Sequence, residues 1–155
     1  MKISIYILFF TLFLVGCTSD NQVGARYSIK RTIKNGTTHK VELKIFVGDI
    51  KFDTLLSENA SITFTADCEV IGSDIGCNNP NYHIAFAQAH EDSIHIIFNH
   101  EKILRFNRAE SQSCLERNIL LPESPCGYIV EDKKEGIKVY TYLISQEDYD
   151  NAEPI

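Results

Sequence analysis

The chain of 155 residues is poor in cations: 15 Lys and Arg stand against 21 Asp and Glu, a net charge of −6. Phosphate-backbone binding needs clustered Lys and Arg to displace counterions, so no nucleic-acid partner is expected. Long apolar runs are also lacking. The longest mostly apolar stretch, Ile3 to Val15, falls short of the ~20 residues that cross a bilayer. Catalytic signatures are missing too: there is no P-loop, no G-x-G-x-x-G, no G-x-S-x-G and no H-E-x-x-H. No heptad or solenoid period recurs, and no pair of cysteines has the close C-x-x-C type of spacing that holds zinc. The sequence therefore predicts no catalytic residues, no metal and no cofactor.

What is present is the composition of one globular domain. Hydrophobic residues make up 44% and charged residues 23%, enough apolar surface for one core and too much for a disordered chain. The first 16 residues stand apart. Met1-Lys2 is a minimal positive start, the apolar stretch has signal-peptide length, and Leu14-Val15-Gly16-Cys17 closes it.

Leu14-Val15-Gly16-Cys17 resembles the lipobox of bacterial lipoproteins, and the resemblance covers about the first 20 residues. It implies cleavage before Cys17, a diacylglycerol group on the Cys17 thiol, and a further acyl chain on the new amine. Two or three chains anchor a protein stably, since each buried CH₂ adds about 0.8 kcal/mol. The rival reading is an ordinary secretory signal with an incidental cysteine. In Gram-negative lipoproteins Asp after the acylated Cys favours the inner membrane; Thr18 at that position implies an outer-membrane lipid anchor, taken as facing the periplasm. Residues 17–25 then read as the acylated cysteine and a polar tether, residues 26–145 as the domain, and residues 146–155 as an acidic, frayed tail.

Four cysteines are left: Cys68, Cys77, Cys114 and Cys126. An even set in an exported domain predicts two disulfides, with three possible connectivities. Short loops rich in turn formers favour Cys68–Cys77 and Cys114–Cys126.

Alternation of period two dominates beyond residue 26. The clearest case is SITFTADCEV, in which Ile62, Phe64, Ala66, Cys68 and Val70 share one face. The pattern predicts an all-β fold: an antiparallel β-sandwich or flattened barrel of eight to nine short strands, with room for one short helix at 108–121. Asn35-Gly36 predicts a hairpin between the first two strands, with a bulge and Gly36 in the left-handed region. A second hairpin, between 81–88 and 93–98, would set His83 and His95 diagonally on one outer face.

Surface histidines are the plain reading of that pair; a catalytic one would add Asp92. Tyr140 and Tyr142 share one face of their strand against Ile137, Val139 and Leu143, so one set is core and the other a contact surface. The candidate binding residues are thus Tyr140, Tyr142, His83 and His95. The expected role is a non-enzymatic protein-binding module in the envelope, anchored to membrane lipid through Cys17. An inhibitor or immunity protein against an envelope-targeting toxin or hydrolase is one alternative, and a structural lipoprotein of a secretion assembly another.

Overall fold

A computed structural model describes residues 26–71, 74–77, 92–109, 117–121, 126–133 and 136–155. The expectations for Cys17, His83, Cys114 and strand 81–88 lie outside these residues, as do residues 110–116 of the helix expected at 108–121; the described ends of that stretch, 108–109 and 117–121, are not helical.

The strands fall where the alternation places them. They are β1 (Arg26–Asn35), β2 (Val41–Val47), β3 (Ile50–Leu56), β4 (Ser61–Ile71), β5 (Asp74–Cys77), β6 (Ser93–Phe98), β7 (Lys102–Asn107), β8 (Tyr128–Lys133), β9 (Ile137–Ile144) and the two-residue β10 (Glu153–Pro154). They form two separate five-stranded sheets. Sheet I has the order β5-β4-β1-β9-β8 and sheet II the order β10-β7-β6-β2-β3. The architecture is an all-β sandwich with no closed barrel among the described residues. One pair departs from the antiparallel expectation: β1 and β9 run parallel, Ser28 beside Ile137 through Asn35 beside Ile144.

The predicted hairpin of β1 with β2 is overturned. Both edges of β1 are occupied, by β4 and β9, while β2 lies in the other sheet between β3 and β6. Alternation fixes which side chains point inward; it does not say whether two inward stripes sit side by side or face each other. Here Ile33 of sheet I and Leu43 and Ile45 of sheet II meet across one buried cluster with Phe64, Ile94, Ile96, Phe98, Tyr128 and Tyr142.

Asn35-Gly36 is the crossover between the layers. Buried Asn35 donates from Nδ2 to the carbonyls of His39, Leu56 and Ser57 at 2.8, 3.1 and 3.2 Å. Its Oδ1 accepts from the Thr37 amide and hydroxyl at 3.0 and 2.8 Å. Gly36 is absent from the positive-φ positions, so the left-handed expectation fails. Its reason is close approach: the Gly36 amide donates to the Ile144 carbonyl at 2.9 Å, and an added Cβ would lie 2.6 Å from Leu143 Cδ1 and 3.0 Å from that same carbonyl oxygen. Because one obstacle is backbone, Gly36→Ala is expected to lower stability by about 1–3 kcal/mol, read as a shift of the urea midpoint.

The core also contains Arg31, fully buried on the inner face of β1. Its Nε donates to the Tyr128 hydroxyl at 2.8 Å and its Nη2 to the Ile119 carbonyl. Tyr128 donates to that same carbonyl at 2.7 Å, and burial pushes its phenol pKa up despite the opposing pull of Arg31.

Residues 146–155 are not a frayed tail. Ser145 caps a short helix, α1 (Gln146–Asp150), and β10 then pairs with β7. The segment is acidic in composition, yet Asp148 and Ala152 are buried. Asp148 Oδ2 accepts from the Ser145 amide at 2.8 Å, and the carboxylate takes Arg117 Nε and Nη2 at 3.1 Å each and the Tyr142 hydroxyl at 3.0 Å. Tyr149 next to it stacks on His39 at 3.9 Å and meets Phe98 edge-on at 5.4 Å, so α1 closes one end of the sandwich against both sheets.

Candidate functional site

Sheet II presents an outer face whose rows are set by strand register, since directly paired residues share a face. Leu55, Glu42, Ile97 and Ile103 form one row. Asp53, Lys44, His95 and Arg105 form the next, and Lys51, Phe46, Ser93 and Asn107 the third. The intervening residues, among them Leu43, Ile45, Ile94 and Ile96, fill the core and hold these rows rigid.

At one end of the face, β6 turns into β7 through Asn99 and His100, at φ 51° and 60°, closed by the Glu101 amide on the Phe98 carbonyl at 2.8 Å. Two positive-φ residues make the type I′ turn that suits the twist of a hairpin, and glycine usually takes the second position. Here His100 takes it and carries an imidazole there. Asn99 braces the turn against the chain before β2: its Oδ1 accepts from the Lys40 amide at 3.0 Å, and its Nδ2 lies 3.0 Å from His39 Nδ1.

Lys40, Glu42, Leu55, Ile97, Asn99 and His100 line a depression of about 340 Å³ beside this turn. That is near the lower end of pocket sizes, roughly 300–1,000 Å³, enough for one side chain or a small solute. Within it Glu42 meets Lys44 Nζ at 3.0 Å and His100 Nδ1 at 3.7 Å.

His95 lies outward on β6, half-buried, as the alternation predicts. Its neighbours differ from the predicted ones. Both edges of β6 are taken, so His95 faces Lys44 on β2 and Arg105 on β7 rather than residues of 81–88. The Phe46 ring packs against it at 4.9 Å. Burial and then the charges of Arg105 and Lys44 lower the imidazole pKa below its ordinary 6.5. The neutral form is therefore favoured by folding. Its contribution is present above pH 6.5 and is lost as the pH falls from there toward the folded-state value, where the unfolded chain binds the extra proton. Acidification from pH 6.5 is expected to reduce the stability of the natural chain more steeply than that of His95→Gln, measured as urea midpoints along a pH series.

The tyrosine prediction resolves into its two halves. Tyr142 is fully buried and Tyr140 packs against the core, so neither forms the open surface; Tyr142 is in the core because its hydroxyl reaches Asp148. Burial, followed by the Asp148 carboxylate, pushes the Tyr142 phenol pKa far up. The opposite face of β9 is the outer one, where Leu143 and, from β8, Ile129 are exposed. Asp92, the third member of the catalytic reading, is 1% exposed and accepts the Gly48 amide at 3.2 Å, the geometry of a loop brace.

Of the cysteines, Cys68 and Cys77 are bonded to each other, directly opposed on β4 and β5. Cys126 is buried and disulfide-bonded, its partner lying outside the described residues. Among the described residues no group of three or more His, Cys, Asp or Glu is placed to hold a metal, and no helix is long and apolar enough to cross a membrane.

Sequence reasoning missed the Lys44–His95–Arg105 row, the Asn99-His100 turn and Asp148. Only Asp148 carried a local signal, the Ser145-x-x-Asp148 spacing of a capping box. The molecule is thus a two-layer β-sandwich with a charged, aromatic-bearing outer face and a braced depression. Compared with protein-family models, curated protein sequences and solved structures, the chain matches none.

Proposed function

We propose that the chain is a lipid-anchored lipoprotein of the bacterial envelope whose sandwich works as a non-enzymatic protein-binding module. The observation that carries this reading is Leu14-Val15-Gly16-Cys17 at the end of a signal-length apolar run. Thr18 supports an outer-membrane address. The small, polar composition of residues 18–25 supports a short leash between Cys17 and the domain. A sandwich whose outer strand face holds a depression beside a braced turn is a rigid platform suited to contact rather than turnover.

An inhibitor or immunity protein is the narrower version of the same reading. The favouring observation is the β6–β7 turn, which projects His100 beside the depression at one end of the sandwich.

The anchor is tested by blocking lipoprotein signal peptidase in the native host with a globomycin-type inhibitor and following the protein's mass. Accumulation of an uncleaved, diacylated form is expected, and Cys17→Ser is expected to release the protein from the membrane fraction. Unchanged processing together with unchanged membrane retention of Cys17→Ser would refute the anchor. Affinity capture from native membranes, with exchanges at Leu55 and His100 as controls, tests the binding face; capture indifferent to both exchanges counts against it.

A further inference from the structure

We infer that Lys44, His95 and Arg105, adjacent on the outer face of sheet II, form a binding site for a small phosphate-type oxyanion. The inference stands apart from the lipid anchor, because it concerns only the folded sandwich.

Its first ground is the row itself. Lys44 and Arg105 are the direct cross-strand partners of His95, one on each side. Two cations thus flank one imidazole across three adjacent strands. The remaining neighbours of His95 on this face are Ser93 and Ile97 on its own strand, Glu42 and Phe46 diagonally on β2, and Ile103 and Asn107 diagonally on β7. Glu42 is the one acid among them, and it is engaged with Lys44 at 3.0 Å and turned toward His100 at 3.7 Å. Asp53 lies beyond Lys44 on β3, and Glu153 meets Arg105 at 3.4 Å. That last pair is exposed on both sides, 47% and 78%, and an exposed pair of this kind is readily exchanged for another anion.

The second ground is spacing and donor type. Neighbouring strands lie about 4.8 Å apart, so Lys44 and Arg105 flank His95 at a span of about 10 Å that two long side chains can close over the ring. The Arg105 fork can grip two oxygens, Lys44 supplies a compact charge, and a protonated imidazole donates from below. Phe46 holds the imidazole in place from one side, with Lys51 Nζ 5.9 Å over the same aromatic ring.

The third ground is sign. The chain is acidic overall, at −6, so an extended polyanion or an anionic bilayer is repelled at long range. A small ligand that engages only this row avoids that repulsion. An anion over the row also favours the charged imidazole, which the two flanking cations otherwise oppose, so binding raises the pH of the His95 titration.

The test uses the full chain in neutral detergent and inorganic phosphate as the probe, with sodium chloride at matched ionic strength as the control. His95 imidazole resonances are assigned by their loss in His95→Gln. Phosphate is expected to move them saturably and to raise the pH at which they titrate, since the bound anion favours the charged ring. Lys44→Gln and Arg105→Gln, both at outward positions, are each expected to weaken binding severalfold while the β-type circular dichroism is kept. A response no greater than that to chloride overturns the site. So does a response to phosphatidylglycerol vesicles, but not to phosphate or to phosphatidylcholine vesicles, because that outcome assigns the row to a membrane surface.

Discussion

Asp148→Ala is expected to lower the stability of the sandwich by about 3–5 kcal/mol, among the largest effects of any single exchange in the chain. The carboxylate is 2% exposed and takes five hydrogen bonds: two from Arg117, one from the Tyr142 hydroxyl and two from Ser145, through its amide and its hydroxyl. Removing it strips Arg117 of its ion-pair partner, leaves a buried phenol without its acceptor and uncaps α1. Each loss acts in the same direction. Arg117, whose side chain is 25% exposed, keeps some hydration, which places the expected value toward the lower end of that range.

Asp148→Asn keeps the shape and one acceptor oxygen but turns an amide donor toward Arg117 or Tyr142. It is expected to lose about 2 kcal/mol, less than the alanine exchange, because a neutral acceptor still serves the Ser145 amide. Equilibrium urea unfolding at pH 7 reads both. For a domain of this size the alanine exchange corresponds to a melting-point drop on the order of 10 °C. A loss below about 1 kcal/mol for Asp148→Ala would mean that α1 and β10 fray independently of the core, contrary to the closing role of Tyr149 against His39 and Phe98.

Strand positions were legible in the sequence because each strand has one buried face. Phe64, Ala66 and Cys68 are buried as the alternation of β4 requires, and the predicted limits of β6, 93–98, match the observed ones. Which strand neighbours which was not legible. The parallel pairing of β1 with β9 joins Ser28 to Ile137, more than a hundred residues apart, and no local pattern encodes such a contact. Inward stripes from two sheets look identical to inward stripes of one hairpin, which is why Asn35-Gly36 signalled a hairpin and proved to be a crossover.

Where both faces of a strand are apolar, period two alone is ambiguous. On β9 the choice between Tyr140 with Tyr142 and Ile137 with Val139 rests on hydroxyl partners. Tyr142 is inside because Asp148 is there to accept its hydroxyl hydrogen bond, and Asp148 is there because Arg117 lies behind it. Those three residues belong to separate stretches of acidic, basic and strand character. Residue by residue, the tail reads as a solvated acidic segment. The outer face of sheet II has the same limitation: His95 was legible as outward-pointing, but its flanking by Lys44 and Arg105 depends on the order β7-β6-β2.

Replacing both members of the Cys68–Cys77 bridge by alanine is expected to lower stability by about 3–4 kcal/mol, and by a mechanism different from that of Asp148. The cysteines are directly opposed on β4 and β5, at a sequence separation of 9 and a Cα–Cα distance of 4.1 Å. Closing a loop of about ten residues removes unfolded-chain entropy worth roughly 2.5–3 kcal/mol at 25 °C. The native side adds to this, because Cys68 is 1% exposed on the inner face and β5 is an edge strand whose neighbour in the sheet is β4. The double exchange avoids a lone thiol that would attack the bond at Cys126. Its signature lies in the slope of the urea transition. A chain without the bridge expands further when unfolded and exposes more surface, so the slope should rise as the extrapolated stability falls. Asp148→Ala should instead shift the midpoint at constant slope, since it changes the folded state. Equal slopes in the two variants would locate the effect of the bridge in the folded edge of sheet I and remove the loop-entropy account.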